Sequence, residues 1–257
     1  MLCTLRATIL VAALTLLLAA PAQADRPIIA AASDLQFALE EVAEEFEADT
    51  GRQVRLNFGS SGNFRRQIAQ GAPFELYLSA DEEYVFALAE DGHTVDEGTL
   101  YAIGRVVVIA RAGDPSGVVD GSLDRLRERV ADGDIRHFAI ANPEHAPYGV
   151  AAMQALQSEE LWASIRPHLV LGENVSQAMR MALTGEAQGG IVAYSLALAP
   201  QVAERSEYEL IPEDKHEPLR QRMVLLDGAG ETARKFYAYL QAQPARDILE
   251  EYGFVLP

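Results

Sequence analysis

One unit recurs along this chain and restricts its fold more than any other feature: a short apolar run that ends in small residues and leads directly into a helical pattern. The first copy is IIAAASDLQFAL, residues 28–39, after which apolar residues recur at spacings of three and four, as in an amphipathic helix. Further copies are predicted at Ser61, at Tyr148-Gly149 and at Val175. Strands that alternate with helices in this way predict an α/β fold with a largely parallel sheet.

The turns of these units predict a site for an anion. Ser33 is placed at a helix N-terminus, where the first amides have no partners within the helix and carry partial positive charge. Alternatively, Ser33 only caps its own helix. Ligands of open α/β sheets lie beyond the carboxyl ends of the strands, where such turns cluster, and two facing sheets would surround an anion with helix N-termini. Since no Lys or Arg stands within two positions of Ser33, Tyr148 or Val175, hydroxyls and amides would hold the anion without a counter-charge.

A binding site lined by hydrogen-bond donors in fixed positions also selects its ligand. A protonated oxyanion would bring a donor hydrogen against other donors, so a fully deprotonated tetrahedral dianion is the expected ligand. Hydroxyls and amides do not titrate between about pH 5 and 8, so the affinity is expected to be nearly constant across that range. Asp34 suits its own helix dipole but not a bound anion, and we expect it to point away.

The beginning of the chain is typical of a secretory signal peptide, residues 1–24. Arg6 supplies a positive charge, Ala7–Ala20 is almost entirely apolar, and a small-residue cleavage site follows. Cys3, the only cysteine, lies inside this segment, so the mature chain is expected to have neither thiol nor disulfide. Secretion without disulfides is typical of a bacterial periplasm.

The charge of the chain excludes several partners. The formal net charge is -17 at pH 7, and loss of Arg6 with the signal would make it more negative by one. Such a surface argues against binding nucleic acid or anionic membranes. It leaves a small anionic ligand possible, because a buried site built from dipoles acts against a distant and screened surface charge.

Several segments together resemble one known family across essentially the whole mature chain. They are AAASDL (30–35), NFGSSGNFRRQIAQGAPFELYLSAD (57–81), GRVVVIA (104–110), NPEHAPYG (142–149), ENVSQAM (173–179), GGIVAY (189–194), KFYAYL (235–240) and EEYGF (250–254). In these segments the chain is similar to the periplasmic molybdate-binding proteins (ModA family), the solute-binding components of molybdate ABC transporters.

The resemblance implies a fold and a function. The fold would be that of a two-lobed, type II periplasmic solute-binding protein, each lobe a sheet flanked by helices, with the ligand cleft between the lobes. Lobe 1 would hold residues 25–104 and 212–257, and lobe 2 residues 105–211. The function would be high-affinity capture of molybdate, and also of tungstate, for the membrane permease of an ABC importer. The protein would be a monomer without a cofactor and without enzymatic activity.

The resemblance also implies the ligand contacts. Carried onto this chain, the contact positions of the family are Ser33, Ser61, Tyr148, Val175 and Tyr194. Tyr148 and Val175 would act mainly through their backbone amides, and no residue would ligate a metal ion directly. The last position departs from the family pattern, because Ala193 follows GIV and the tyrosine comes one residue later. One step along a strand reverses the side-chain direction, so either the register shifts locally or Tyr194 does not reach the ligand.

Two alternatives remain at this level. The first is a binder of another tetrahedral oxyanion, such as sulfate or phosphate. The second is a periplasmic hydrolase that uses Ser33 or the Glu144-His145 pair. A hydrolase would need a base within hydrogen-bond reach of a serine, and no sequence feature supplies one. The histidines show no metal-ligand spacing.

Overall fold

The computed structural model describes residues 26–257 and contains two five-stranded sheets, each flanked by helices. The predicted signal peptide, residues 1–24, lies outside the described residues. The strands are β1 Ile28–Ala32, β2 Arg55–Gly59, β3 Leu76–Ser79, β4 Thr99–Gly104, β5 Val106–Arg111, β6 Phe138–Ala141, β7 Leu169–Gly172, β8 Gly190–Ala193, β9 Ser206–Leu210 and β10 Leu219–Leu225.

The helices cover both faces of the sheets and begin mostly just after a strand. They are α1 Gln36–Thr50, α2 Ser61–Ala69, α3 Glu82–Glu90, α4 Asp124–Ala131, α5 Pro147–Ser158, α6 Trp162–Ile165, α7 Val175–Thr184, α8 Tyr194–Leu198, α9 Pro200–Ala203, α10 Glu231–Tyr239 and α11 Gln243–Glu251. Short 3-10 turns occupy Ser33–Leu35, Arg166–His168 and Glu213–Lys215. Within residues 26–257, no helix has the length and apolar character needed to cross a membrane.

The sheets are mixed, which corrects the prediction of a largely parallel sheet. The first has the order β2-β1-β3-β10-β4, and the second β7-β6-β8-β5-β9. The strands around β1 and around β6 pair in parallel, whereas β10 and β5 pair antiparallel with both of their neighbours. The antiparallel strands β5 and β10 follow the two crossings between the sheets, the first from β4 into β5 and the second from β9 back into β10.

The predicted two-lobed α/β fold is confirmed. Arg105 alone separates β4 from β5, and the return crossing lies between Leu210 and Leu219. Every strand of the first sheet falls within residues 25–104 or 212–257, and every strand of the second within 105–211. The positions of the lobe boundaries themselves stay a prediction.

Burial on both faces explains why β1 is apolar throughout. Ile29 and Ala31 face a core that includes Phe46 of α1 and Phe236 of α10, whose rings pack edge to face with centroids 5.0 Å apart. Ala30 faces the opposite core, against α2 and α3. Each large apolar side chain buried in this way contributes about 1.5–3 kcal/mol to stability. The strand is thereby fixed, and its last residue delivers the chain to the 3-10 turn that opens α1.

Candidate functional site

A small cavity lies between the lobes, where the beginnings of helices from both sheets meet. Its volume is only about 10 Å³. Its lining residues are Ala32, Ser33, Asp34, Gly59, Ser60, Ser61, Ala80, Ala146, Pro147, Tyr148, Asn174 and Val175. The structure therefore brings Ser33, Ser61, Tyr148 and Val175 around one cavity, at the starts of the 3-10 turn before α1 and of α2, α5 and α7.

The two serines of the first lobe are held as hydrogen-bond donors. The Ser33 Oγ accepts from the Ser176 amide at 3.3 Å, and the Ser61 Oγ accepts from the Ala80 amide at 3.0 Å. Both serines are buried. A hydroxyl that accepts through its oxygen still has one hydrogen to donate. Each amide thus orients a hydroxyl whose hydrogen can serve an anion in the cavity.

Ser60, the neighbour of Ser61, has different hydrogen-bond partners. Its Oγ caps α2 by accepting from the Asn63 amide at 3.4 Å, and it lies 2.8 Å from His145 Nδ1 of the second lobe. The Gly62 amide also donates to the His145 carbonyl at 2.9 Å. The α2 turn is therefore joined to the second lobe through Ser60 and Gly62, whereas no contact of the Ser61 hydroxyl crosses to that lobe among the hydrogen bonds of the described residues.

The second lobe presents backbone amides. Pro147 opens α5, where its missing N–H leaves no donor unsatisfied and its fixed φ suits the first turn. The Tyr148 amide is therefore the first amide of this helix. A Cβ at Gly149 would lie 2.2 Å from the Ala141 carbonyl oxygen, so only glycine lets α5 begin this close to the end of β6. The Val175 amide likewise opens α7, which Asn174 caps by accepting from the Gln177 amide at 3.0 Å.

Tyr194 is the predicted site residue that the structure does not bring to the cavity. β8 ends at Ala193, and Tyr194 starts α8 with its amide donating to the Arg105 carbonyl at 2.9 Å. Its ring packs near Tyr208, with centroids 6.0 Å apart, and against Gly253, where a Cβ would come within 2.6 Å of it. The one-residue offset from the family pattern thus places the tyrosine side chain against the C-terminal segment.

Two buried serines of the second lobe, which sequence reasoning did not identify, bind the first-lobe turn instead. Ser176 donates from its Oγ to the Ser33 carbonyl, and Ser195 donates to the Asp34 carbonyl, both at 2.8 Å. These carbonyls belong to the 3-10 turn, so the second lobe directly contacts the turn that contains Ser33. In the sequence, Ser176 comes just after the start of a helix and Ser195 just after the end of a strand, and these positions are the features that could have marked both serines.

Asp34 is among the residues that line the cavity, and its carboxyl is bonded to Gln221, which is not a lining residue. Asp34 is buried, and Ser195 of the second lobe donates to its carbonyl. Burial raises the pKa of its carboxyl to about 6, against the lowering effect of hydrogen bonds from Gln221 and Tyr148. The Gln221 Nε2 donates to Asp34 Oδ2 at 2.7 Å, while Oδ1 has no partner among the described residues.

The electrostatics of the cavity come from dipoles. No Lys or Arg is among its lining residues, and Asp34 carries the acidic group. Helix starts contribute partial positive charge from amides that point outward, an arrangement suited to an anion. Across residues 26–257 no group of three or more His, Cys, Asp or Glu side chains could hold a metal ion. The cavity therefore offers hydrogen-bond donors and helix dipoles, and no basic side chain.

Comparison with known proteins gives this geometry a context. The sequence profile of the bacterial extracellular solute-binding proteins matches residues 28–255. The molybdate-binding protein ModA of Rhodobacter capsulatus is 38% identical over 255 residues, which cover 98% of this chain and 97% of the relative. ModA of Escherichia coli is 31% identical, with 95% of each chain covered. The solved periplasmic molybdate-binding protein of Azotobacter vinelandii superimposes with a TM-score of 0.82 at 29% identity, covering 90% of this chain and 100% of that one.

Proposed function

This chain belongs to the ModA family of bacterial extracellular solute-binding proteins, and on that premise we propose that it captures molybdate in the periplasm and delivers it to the permease of an ABC importer. The observation that carries the proposal is the cavity between the lobes, bounded by helix starts from both sheets and lacking any basic side chain. Tungstate, with nearly the same size and charge, is expected to bind as well. The protein acts as a carrier and performs no chemistry on its ligand.

Binding would proceed by closure of donors from both lobes on the oxygens of the anion. The first lobe supplies the hydroxyl hydrogens of Ser33 and Ser61, and the second supplies the amides of Tyr148 and Val175. Hydrogen bonds to an ionised acceptor are roughly twice as strong as neutral ones. Because the donors are fixed by backbone contacts, an ion with a different spread of oxygens, or with a proton, makes fewer of these bonds.

A hydrolase is the second candidate, and one observation favours it. Ser60 Oγ lies 2.8 Å from His145 Nδ1, and His145 Nε2 lies 3.9 Å from Glu173 Oε2. This is the contact between nucleophile and base that the sequence did not reveal. The Ser60 hydroxyl is nevertheless engaged as the cap of α2, and its contact with His145 joins the two lobes. We therefore assign Ser60 and His145 to interlobe contact.

A thermal-shift comparison tests the binding function. A ligand that binds only the folded form stabilises it by about 2.7 kcal/mol at a hundredfold excess over Kd. For a chain of this size that corresponds to a rise in Tm of roughly 5–10 °C. Millimolar molybdate and tungstate are expected to give this rise, and sulfate and phosphate a much smaller one. Equal shifts with all four anions would favour a general oxyanion binder.

A turnover assay on simple esters tests the hydrolase. We expect no hydrolysis above background from the wild-type chain and none from a Ser60→Ala variant. Hydrolysis that disappears on Ser60→Ala would contradict the binding assignment and support the second candidate.

A further inference from the structure

A buried side chain that is not itself in the lining of the cavity joins residues of the two lobes. The carboxamide of Gln221, on β10, is fully buried. Its Nε2 donates to Asp34 Oδ2 at 2.7 Å and to the Tyr148 hydroxyl at 3.0 Å, and its Oε1 accepts from the Tyr101 hydroxyl at 2.6 Å. Asp34, Tyr101 and Gln221 belong to the first lobe and Tyr148 to the second. Both N–H groups and the oxygen of the amide are therefore used.

Two backbone features make room for this contact. The pairing of β10 with β4 shifts register between Gln221 and Arg222, and such bulges redirect a side chain. Gly104 ends β4 at the crossing between the lobes, and a Cβ there would lie 2.2 Å from the Tyr148 hydroxyl and 2.6 Å from Gln221 Nε2. The bulge and the glycine both serve the meeting of Gln221 with Tyr148.

The hydrogen bonds of Gln221 connect to the proposed anion site through a residue of each lobe. Tyr148 lies in the first turn of α5, so holding its hydroxyl fixes the position of its amide at the cavity. Asp34 belongs to the same 3-10 turn as Ser33. The Gln221 amide thus links the turn that presents a serine hydroxyl from one lobe to the turn that presents an amide from the other.

We propose that Gln221 is a positioning residue for the oxyanion site: it latches α5 to the first lobe through the Tyr148 hydroxyl and so retains the bound ligand without touching it. The inference rests on the proposed function. It predicts that loss of the latch speeds ligand release and leaves capture unchanged, because the bond between the lobes exists only when they are closed.

A double-mutant cycle tests the latch with molybdate as the probe. The variants are Gln221→Met, Tyr148→Phe and the double change; Tyr148→Phe keeps the backbone amide and the bond between Gln221 and Asp34. Each single change is expected to raise the dissociation rate about three- to tenfold, with the association rate unchanged. The double change is expected to release molybdate no faster than Tyr148→Phe, since that single change already removes every hydrogen bond of the Tyr148 hydroxyl to the first lobe.

Tyr237→Phe is the matched control. The Tyr237 hydroxyl lies 2.7 Å from Thr99 Oγ1, within the first lobe alone, so its removal should leave the dissociation rate unchanged. Because Gln221→Met also deprives Asp34 of its donor, circular dichroism and melting curves accompany each variant. If Gln221→Met fails to fold, the inference is tested by comparing the molybdate dissociation rate of Tyr148→Phe with that of Tyr237→Phe.

The outcomes separate this inference from the proposed function. The latch would be overturned if the increases in dissociation rate multiplied in the double variant, or if Tyr148→Phe released molybdate at the wild-type rate. Either result would leave the proposed binding of molybdate intact. A wild-type chain that binds no oxyanion would overturn the proposed function and the latch with it.

Discussion

Replacing Ser33 or Ser61 by alanine is expected to weaken molybdate binding by about one to two decades while the protein stays folded. Each serine would donate one hydroxyl hydrogen bond to a charged oxygen, and such bonds contribute roughly 1.5–3 kcal/mol. At about 1.4 kcal/mol per decade, the loss gives the stated range. Isothermal calorimetry of each variant measures it, and circular dichroism checks the fold.

The control for these changes is Ser206→Ala. Ser206 is also buried, and its hydroxyl donates to the Val202 carbonyl at 2.9 Å on α9 and β9, away from the cavity. Ser60→Ala is unsuitable as a neutral control, because Ser60 contacts His145 across the cleft. If Ser33→Ala and Ser61→Ala both bound molybdate as tightly as Ser206→Ala, the cavity would not be the binding site.

Asp34→Asn is expected to stabilise the ligand-free protein at pH 8 by up to about 3 kcal/mol. Burial raises the pKa of this carboxyl from 3.8 to about 6. The folded state therefore favours the protonated form, and its contribution to stability is fully present below pH 3.8 and is lost as the pH rises through about 6. Asparagine remains neutral and can still accept from Gln221, so it avoids that loss.

Urea unfolding at pH 4 and pH 8 measures the effect of Asp34→Asn. The gain over the wild type should be large at pH 8 and small at pH 4. Asp132→Asn, which changes an exposed carboxylate at the end of α4, serves as the control. Equal pH dependence in the wild type and Asp34→Asn would show that the Asp34 carboxyl is not held in the buried setting described.

The same residue revises the expected pH dependence of binding. A constant affinity between pH 5 and 8 followed from hydroxyls and amides alone, whereas Asp34 titrates within that range. Burial holds the pKa of Tyr101 and Tyr148 well above its usual value, so these neighbouring hydroxyls stay protonated. Ionised Asp34 beside a dianion is unfavourable, so wild-type affinity is expected to fall above about pH 6 and that of Asp34→Asn to stay level. Calorimetry from pH 5 to 8 distinguishes the two profiles.

The sequence was sufficient where local pattern and tertiary structure agree. Small residues at the end of β1, followed by helical spacing, placed Ser33 at a helix start, and similar transitions placed Ser61 and Val175. These features depend on a few neighbouring residues. For the same reason the α/β class and the cluster of helix starts could be predicted.

Features that depend on contacts between distant parts of the chain could not be predicted from the sequence. Local pattern does not separate β4 from β5, because TLYAIG runs into the next apolar segment with only Arg105 between them, although the two strands belong to different sheets. Nothing local in the sequence indicates that Asp34 is buried or that Ser195 of the second lobe donates to its carbonyl. Nothing local in the sequence marks Gln221, which precedes the predicted strand Arg222–Leu226, and only the packing of the two lobes places Tyr148 beside it.

Calorimetric titration of the wild-type chain with molybdate, tungstate, sulfate and phosphate, each separately, tests most directly that this cavity is a molybdate site. The expected result is saturable binding of one molybdate or one tungstate per chain, with sulfate and phosphate at least about a hundredfold weaker, a difference of about 2.7 kcal/mol. Sulfate or phosphate binding as tightly as molybdate, or no heat from molybdate at all, would contradict it.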